Sequence, residues 1–478
     1  MIPIDGLAVL TAAAVRDAET RAVARGTGLA TLMDRAGQGV ATAVRRLAAG
    51  AETLVLCGPG NNGGDGWVAA AALAAAGHRV RVAALGEPAT DLARAARARW
   101  AGPVERFADA APAPVVVDAL FGIGLSRPLD ADVAERLCRT VGRAGLRIAV
   151  DVPSGLASDT GDAPRTAIPR ATLTLALGTL KPAHVLYPAA DWCGTVRLID
   201  VGLDPDVGPM PGALPDYAIE RPIVPAPDSA SHKYSRGLVL VIGGAMPGAP
   251  ALAALAAMHA GAGYVMLFGD ADADGPPHAL VRRRWSPDAL AAALHGKSPD
   301  RTAIVVGPGL GKDAAARAKL AAAIDADAQL VVDGDALHLL DEATFGRFRA
   351  RPADRLAVLT PHAGEFRALF GEHPGNKIDA ARDAAARSGA IVAFKGPDTV
   401  IAHPDGRTRT HARGSAWLST AGTGDVLAGT VAAMLCADTV TDPVAAAVWM
   451  HGEAARRLGP AFVADDLARA LSAVRASL

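Results

Sequence analysis

A chain of 478 residues with 51% hydrophobic and 20% charged side chains is an ordinary packed protein, long enough for two large α/β units or roughly three smaller ones. Its formal net charge of −1 supplies no field that would attract nucleic acid or an anionic membrane, so neither is expected as a partner. Four scattered cysteines form no CxxC pair and no zinc-type grouping, which predicts reduced, mostly buried thiols.

The N-terminus has no basic segment followed by a long apolar core; no secretory signal is read, and the expected compartment is the cytoplasm. Two helical stretches come first, TAAAVRDAETRAVARG and LATLMDRAGQGVATAVRRLA. Strand-like runs then alternate with helical ones: TLVLC, HRVRVAAL, PVVVDAL, RIAVDVP, ATLTLAL and TVRLIDVGL. Alternation of this kind predicts a parallel sheet with helices on both faces. After TLVLC, Gly58, Gly60 and Gly63 spell the dinucleotide fingerprint GxGxxG ahead of a helix-like alanine run. Asp65 nevertheless stands where a pyrophosphate would lie, and its charge would repel one. The segment is therefore built for something other than plain phosphate binding, unless Asp65 serves only as a helix cap.

Prolines become dense between Asp204 and Ser231 and periodicity stops. Residues 213–230 read as a connection between a first domain, 1–212, and a second, 231–478. The second alternating series is LVLVIGG, GYVMLFG, TAIVVGPG, QLVVDGDAL, LAVLTPH, AIVAFKG and TVIAHPDG, followed by helices from GTGDVLAG onward. Gly237 to Gly269 carries only His259 as a titratable group, yet its Gly-Gly, its prolines and its strand–helix–strand rhythm predict a buried βαβ unit and not a membrane span. The short basic cluster VRRRW, Val281 to Trp285, reads as a solvated helix end or loop.

The most informative motif is STAGTGDVLAG, Ser419 to Gly429. Gly422, Thr423 and Gly424 lead into a helix whose N-terminus suits an anion. Asp425 follows at once, placed to accept the proton of an attacking hydroxyl while backbone amides steady a phosphoryl group; the competing reading is a simple cap. VVGPGLG offers backbone without side-chain bulk, LTPHAGE places His362 near a helix start, and FKGPDTVI supplies Lys395 at a strand end, suited to a nucleotide phosphate or else lying in a hairpin turn.

The set HKYSRGLVLVIGG, GAPALAALAAMHAGAGYV, GPGLG, VVDGDAL, LTPHAGEF, FKGPDTVI and AGTGDVLAG resembles the dehydratase domain of NAD(P)H-hydrate repair enzymes, which is ribokinase-like. The resemblance implies that a nucleoside phosphate, ADP with release of AMP, activates the hydroxyl of a hydrated nicotinamide ring, which then leaves as phosphate. It implies Asp425 as the catalytic base, with Ala249, Gly309, His362 and Asp425 lining the hydrate site. Lys395, Gly396, Pro397, Asp398, Thr399 and Gly424 would hold the adenine nucleotide, and Mg²⁺ would come with it, its ligands unassigned. The chain departs from the family at GSAWLST, where Ser415 stands in place of an asparagine, and at His338.

LMDRAG, GPGNNGGDG, VVDALFGIGLSRP, AVDVPSGLASDTG and LKPAH resemble the epimerase domain of the same system, a Rossmann-like unit that interconverts R and S hydrates. The resemblance implies a hydrate-binding loop of Asn61, Asn62, Gly63, Gly64 and Asp65. It implies a second loop of Gly122, Ile123, Gly124, Leu125, Ser126, Arg127 and Pro128, with Asp151 as a substrate-contacting acid. Asn62, Asp118 and Ser154 would bind K⁺, a set of hard oxygen donors. Lys181 reads either as a phosphate contact or as a surface lysine. The implied substrates are NADH hydrate, NADPH hydrate and ADP, and the implied assembly is a homo-oligomer. Two rivals share some motifs: a vitamin-precursor kinase with a fused Rossmann-type regulatory domain, and a dehydratase whose first half is a noncatalytic binding module.

Overall fold

A computed structural model describes residues 1–125, 127–204, 216–269, 276–412 and 414–478. The chain divides into two compact units, Met1–Ala218 and Ile219–Leu478.

The first unit opens with β1 (Ala8–Val9), α1 (Ala12–Ala24) and α2 (Leu29–Leu47). It continues with β2 (Thr53–Cys57), α3 (Asn61–Ala75), β3 (Val80–Ala84), α4 (Asp91–Arg97), β4 (Val104–Arg106), β5 (Val115–Ala119) and α5 (Ala131–Val141). It closes with β6 (Leu146–Val150), β7 (Leu173–Leu177), α6 (Pro182–Val185), α7 (Ala190–Cys193), β8 (Thr195–Ile199) and β9 (Asp216–Ala218). The sheet order is β4-β3-β2-β5-β6-β7-β8, with every neighbouring pair parallel. Strand order reverses between β2 and β5, so the loops after those strands diverge and leave a crevice at the carboxyl edge, where open α/β sheets bind ligands. Central strands such as β2 and β5 are buried along their whole length, as expected when helices cover both faces.

The proline-rich connection lies partly outside the described residues; within it, Asp216–Ala218 forms a strand antiparallel to β1, which aperiodic sequence did not foretell. Three residues are too few for alternation to show.

The second unit contains β10 (Leu238–Ile242), α8 (Gly248–Ala260), β11 (Tyr264–Gly269), β12 (Val281–Arg284), α9 (Pro287–Leu294), β13 (Thr302–Val306), α10 (Ala314–Asp325) and β14 (Gln329–Val332). Next come α11 (Glu342–Arg349), β15 (Ala357–Leu359), α12 (Ala363–Phe370), α13 (Lys377–Ser388), β16 (Ile391–Phe394), β17 (Thr399–Ala402) and β18 (Thr408–His411). Three helices finish it: α14 (Thr423–Leu435), α15 (Pro443–Leu458) and α16 (Ala464–Ala476). Its sheet runs β18-β17-β16-β15-β14-β13-β10-β11-β12, parallel except for β17 and β18. Gly237 to Gly269 is the βαβ unit expected. VRRR is not a loop or helix end: it is β12, pairing parallel with β11, its arginines carried on a sheet margin where water reaches them.

With aromatics at only 4%, small residues make the core and let elements approach closely. A Cβ on Gly429 of α14 would fall 1.9 Å from the carbonyl oxygen of Ala253 in α8, so those helices touch backbone to backbone. Cys57, Cys193 and Cys436 are buried free thiols, and Cys138 is half-buried. Among the described residues no helix is long and apolar enough to cross a membrane.

Candidate active sites

In the first unit the carboxyl edge of the sheet collects a buried charged cluster. Asp151 follows β6 directly and has φ +67°, a left-handed conformation uncommon outside glycine. It is held from two sides. Lys181 Nζ donates to Asp151 Oδ1 at 2.5 Å and spends its other protons on Leu177 O at 2.9 Å and Thr179 O at 3.1 Å. His184 Nδ1 accepts from the Lys181 amide at 3.0 Å, so Nε2 carries the proton and donates to Asp151 O at 2.8 Å. Burial, reinforced by the Lys181 charge, lowers the His184 pKa to about 4, and the ring is neutral.

Asp65, on α3, is 8% exposed, and its carboxyl has no hydrogen-bond or ion-pair partner among the described residues. Burial, then the nearby charges of Asp151 and Glu19, raise its pKa well above the usual carboxylate value, against the pull of Lys181. Glu19, from α1, is raised too, chiefly by burial. Two carboxyls in one basin thus sit in different surroundings, one ion-paired and one without a partner, which is the arrangement that separates an acid from a base.

Asp118, in β5, lies beside this basin. Its Oδ1 accepts from Ser154 Oγ at 2.6 Å and Leu120 N at 3.2 Å, and its Oδ2 accepts from Ser154 N at 3.0 Å. Burial raises its pKa, hydrogen bonds from Ser154 and Leu120 oppose the rise, and no cationic side chain contributes. Asn62 and Asp151 flank Gly122: a Cβ there would lie 2.9 Å from Asn62 Oδ1 and 3.1 Å from Asp151 Oδ2. Asn62 Nδ2 is buried without a partner.

In the second unit the parallel strands deliver Asp333 after β14, Thr360 after β15 and Lys395 after β16 to one edge. Asp333 Oδ1 accepts from Thr360 Oγ1 at 2.7 Å and from Lys395 Nζ at 2.7 Å. The first turn of α14 reaches the same place, since a Cβ on Gly424 would lie 3.2 Å from Lys395 Nζ and 3.9 Å from Asp333 Oδ2. Gly422, the N-cap of α14, has φ 89° and no side-chain cap, and Asp425 is the third helical residue, so Asp425 is no cap. Burial, then the charge of Asp333, raises the Asp425 pKa to about 6, against the pull of Lys395. Burial disfavours the Lys395 charge, but Asp333, Glu365 and Asp425 outweigh it and its pKa is raised. His451 Nε2 donates to Thr423 O at 2.9 Å and props the start of α14; burial lowers its pKa to about 4.

A family profile described as NAD(P)H-hydrate dehydratase matches residues 239–475, and one described as the YjeF-related protein N-terminus matches residues 29–183. The bifunctional NAD(P)H-hydrate repair enzyme of Salinibacter ruber is 34% identical over 521 aligned positions, covering 96% of this chain and 94% of its own. Its counterpart from Mycobacterium tuberculosis is 37% identical over 428 positions, covering 87% and 86%. The chain belongs to the bifunctional NAD(P)H-hydrate repair enzymes. Among solved structures, the ADP/ATP-dependent NAD(P)H-hydrate dehydratase of Bacillus subtilis, co-crystallised with ATP and Mg²⁺, is 29% identical and covers 52% of this chain and 93% of its own, with a TM-score of 0.45.

The geometry of this repair enzyme corrects several expectations. Asn61 to Asp65 is not a loop but the opening of α3, which starts immediately after its N-cap, Gly60. The glycines there serve the chain's own contacts: a Cβ on Gly58 would fall 1.8 Å from Leu120 O, and one on Gly63 would fall 1.9 Å from Gly58 O. Only Gly60 has nothing within 4 Å. Gly64 faces Met33 of α2, whose methyl lies 2.5 Å from a Cβ placed there.

The second loop is positioned as a turn, with Leu125 N donating to Gly122 O at 3.2 Å. Ile123 packs on Leu10, Ala14 and Val15, while Gly124 is unobstructed. Arg127 pairs with Asp130 at 2.7 Å on the surface, and Pro128 lines a small cavity of about 240 Å³ with Leu125. Ser126 lies outside the described residues. Lys181 is not a surface lysine: it is 1% exposed.

In the dehydratase unit, Ala249 stands in the first turn of α8. Gly309 has φ 59° and is pressed on Met246, where a Cβ would meet the carbonyl at 2.4 Å, so GPGLG gives up its bulk to protein backbone. His362 is the N-cap of α12, its Nδ1 accepting from Gly364 N at 3.0 Å and Glu365 N at 3.2 Å, and its side chain stays 60% exposed. Gly396 and Pro397 form the exposed hairpin turn between β16 and β17, and Thr399 ties to Gly396 O at 3.3 Å. Asp398 is turned inward, 3% exposed, and its carboxylate accepts from Lys377 Nζ at 2.6 Å. Ser415 caps a short 3₁₀ turn through Trp417 N.

Sequence reading missed Lys181, His184, Glu19, Asp333, Glu365 and Lys377 as members of these clusters. Glu19 had a signal: it falls on the helical stripe Ala12, Val15, Ala22, where an acid is out of place. Asp333 had one as well, closing the apolar run Leu330–Val332 at the ligand edge.

Proposed function

We propose that the first unit interconverts R and S NAD(P)H hydrate and that the second dehydrates the S form at the expense of ADP. The observation that supports this most is the convergence of Lys395, Asp333 and Asp425 on the first turn of α14. Asp425 accepts the proton of the ring hydroxyl, and that oxygen forms a bond to the β-phosphorus of ADP as the bond to the leaving AMP oxygen breaks. Lys395 neutralises the phosphoryl charge, with the amides at the helix N-terminus. Phosphate then leaves with the ring carbon–oxygen electron pair, and loss of a ring proton restores the double bond. Mg²⁺ would be carried by the nucleotide phosphates, and Asp333 and Asp425, the acids beside Lys395, would be the residues available to hold it there, where it would offset phosphoryl charge.

In the first unit Asp151 is the base and Asp65, whose burial and neighbouring acids disfavour its charged form, the acid. K⁺ fits at Asp118: the carboxylate is buried, lacks a cationic partner among the described residues and keeps acceptor capacity on Oδ2 beside Ser154. The buried, unpartnered amide of Asn62 supplies a further oxygen after rotation of its end group. The cation would hold the loops after β2, β5 and β6 together. A homo-oligomer and a cytoplasmic site of action fit this reading.

The test is recovery of reduced-nicotinamide absorbance from mixed R and S NADH hydrate with Mg²⁺, K⁺ and ADP. Recovery beyond the S fraction supports both activities. Recovery that stops at the S fraction removes the epimerase, and none with either ADP or ATP sinks the reading.

A further inference from the structure

A cavity of about 700 Å³ opens in the first unit beside the ends of β3 and β4. Its size suits an enclosed small organic ligand, and nothing proposed above uses it. The lining combines apolar Leu85 and Phe107 with Glu87, Arg97 and Arg136 around Trp67.

The lining is rich in unsatisfied donors. Arg136 Nε and Trp67 Nε1 are both buried and without a hydrogen-bond partner, whereas buried donors are ordinarily satisfied. Arg97 stacks 4.8 Å above the Trp67 ring and gives one nitrogen to Trp100 O at 3.1 Å. Arg136 gives Nη2 to Ala110 O at 2.9 Å. Among the described residues no carboxylate pairs with either guanidinium.

Glu87 adds an acceptor. It follows β3, the strand after the GxGxxG helix, and in dinucleotide-binding sheets an acid about 20 residues beyond the fingerprint meets the ribose hydroxyls. The loop that carries it is also the wall of the epimerase crevice. Leu85 N donates to Cys57 O at 3.0 Å, Ala89 N to Pro59 O at 2.8 Å, and Thr90 Oγ1 to Asn61 Oδ1 at 2.6 Å. One short loop therefore separates the cavity from the residue that opens α3.

We propose that this cavity receives the adenosine half of the dinucleotide hydrate, its ribose hydroxyls on Glu87 and its phosphate oxygens on Arg97 and Arg136. The hydrated ring lies across the loop beside Asp65 and Asp151. This rests on the epimerase reading and extends it: the first unit recognises a whole dinucleotide, not a hydrated ring alone.

The experiment compares two substrates in the full-length chain, NADH hydrate and the hydrate of reduced nicotinamide mononucleotide, which lacks the adenosine half. Epimerisation is followed directly by the R to S ratio, without ADP. Arg136→Ala and Arg97→Ala should raise KM for NADH hydrate by about tenfold, the loss of one charged contact, with no such rise for the mononucleotide. Ala108→Trp, an exposed position on the cavity rim, should give the same split by filling the space, and covers the case in which an arginine variant does not fold. KM values that stay put, or that rise equally for both substrates, overturn the proposal. A wild-type chain inactive on both hydrates overturns the epimerase reading and this site with it.

Discussion

Lys181 Nζ and Asp151 Oδ1 meet at 2.5 Å with side chains only 1% and 7% exposed, so a single buried contact fixes the direction of the acid in the epimerase crevice. Lys181→Met should leave that carboxylate buried and unpaired, which costs about 3–5 kcal/mol. We expect the first unit to lose stability by that order in urea unfolding, and R to S conversion to vanish. Dehydration of pure S hydrate should persist. An unchanged unfolding midpoint together with normal epimerisation would rule out the role given to this pair.

Asp425 works as a base only when ionised, and its pKa is raised to about 6. The dehydration rate should therefore fall as pH drops through about 6 and level off above it, measured with S hydrate at saturating ADP. Asp425→Asn should lower that rate by about 10²–10⁴-fold and leave epimerisation intact. A flat profile between pH 5 and pH 7 would refute the assignment.

Lys377 shapes the turn after Lys395 from behind. Its ammonium donates to Asp398 Oδ1 at 2.6 Å, Asp398 O at 2.9 Å and Lys395 O at 3.3 Å. Lys377→Met should loosen the turn and raise KM for ADP by about tenfold, with kcat falling less, because a positioning contact is lost and the base is not. Equal KM in variant and wild type would show that the turn holds itself.

The Asp118 proposal has a readout apart from activity. A cation bound only by the folded state raises its melting temperature by mass action. Exchanging K⁺ for tetramethylammonium should lower the melting temperature of the first unit, and Asp118→Asn should abolish that difference. A K⁺ shift that survives in Asp118→Asn places the cation elsewhere.

His184 supplies an acid limit. Its folded pKa is about 4 against 6.5 for the free group, so between those values the unfolded chain takes up a proton that the folded chain refuses. Stability of the first unit should then decline as pH falls from about 6.5 to about 4, by up to roughly 1.4 kcal/mol per pH unit. His184→Gln should flatten that slope in urea unfolding measured across the window; a slope unchanged by the substitution would refute it.

The alternation of apolar runs and helices was enough to read two parallel sheets, because each strand buried on both faces must be apolar throughout. Short or charged strands escaped: Asp216–Ala218 has too few residues for a period, and the arginines of β12 mask a strand that needs burial on little more than one side. At the sites, Asp118 and Asp151 were legible as acids at the ends of apolar runs, while Asp333, placed the same way after β14, was passed over. Lys181 and Lys377 were not legible, because a lysine in sequence looks the same whether it meets water or a buried carboxylate. The inward turn of Asp398 was hidden for the same reason: its partner in space, Lys377, stands at a helix start 21 residues earlier.

The contacts of Gly58 and Gly63 carry a wider meaning for the pattern they spell. Two of the three fingerprint letters describe how tightly the chain grips itself where strand, turn and helix meet, and only the middle one, Gly60, opens onto free space. The pattern is thus a signature of a bend, shared by any strand–helix junction wound this closely. What the bend is for is written in the letters among and just beyond those glycines, and here they include two amides, Asn61 and Asn62, and an acid, Asp65.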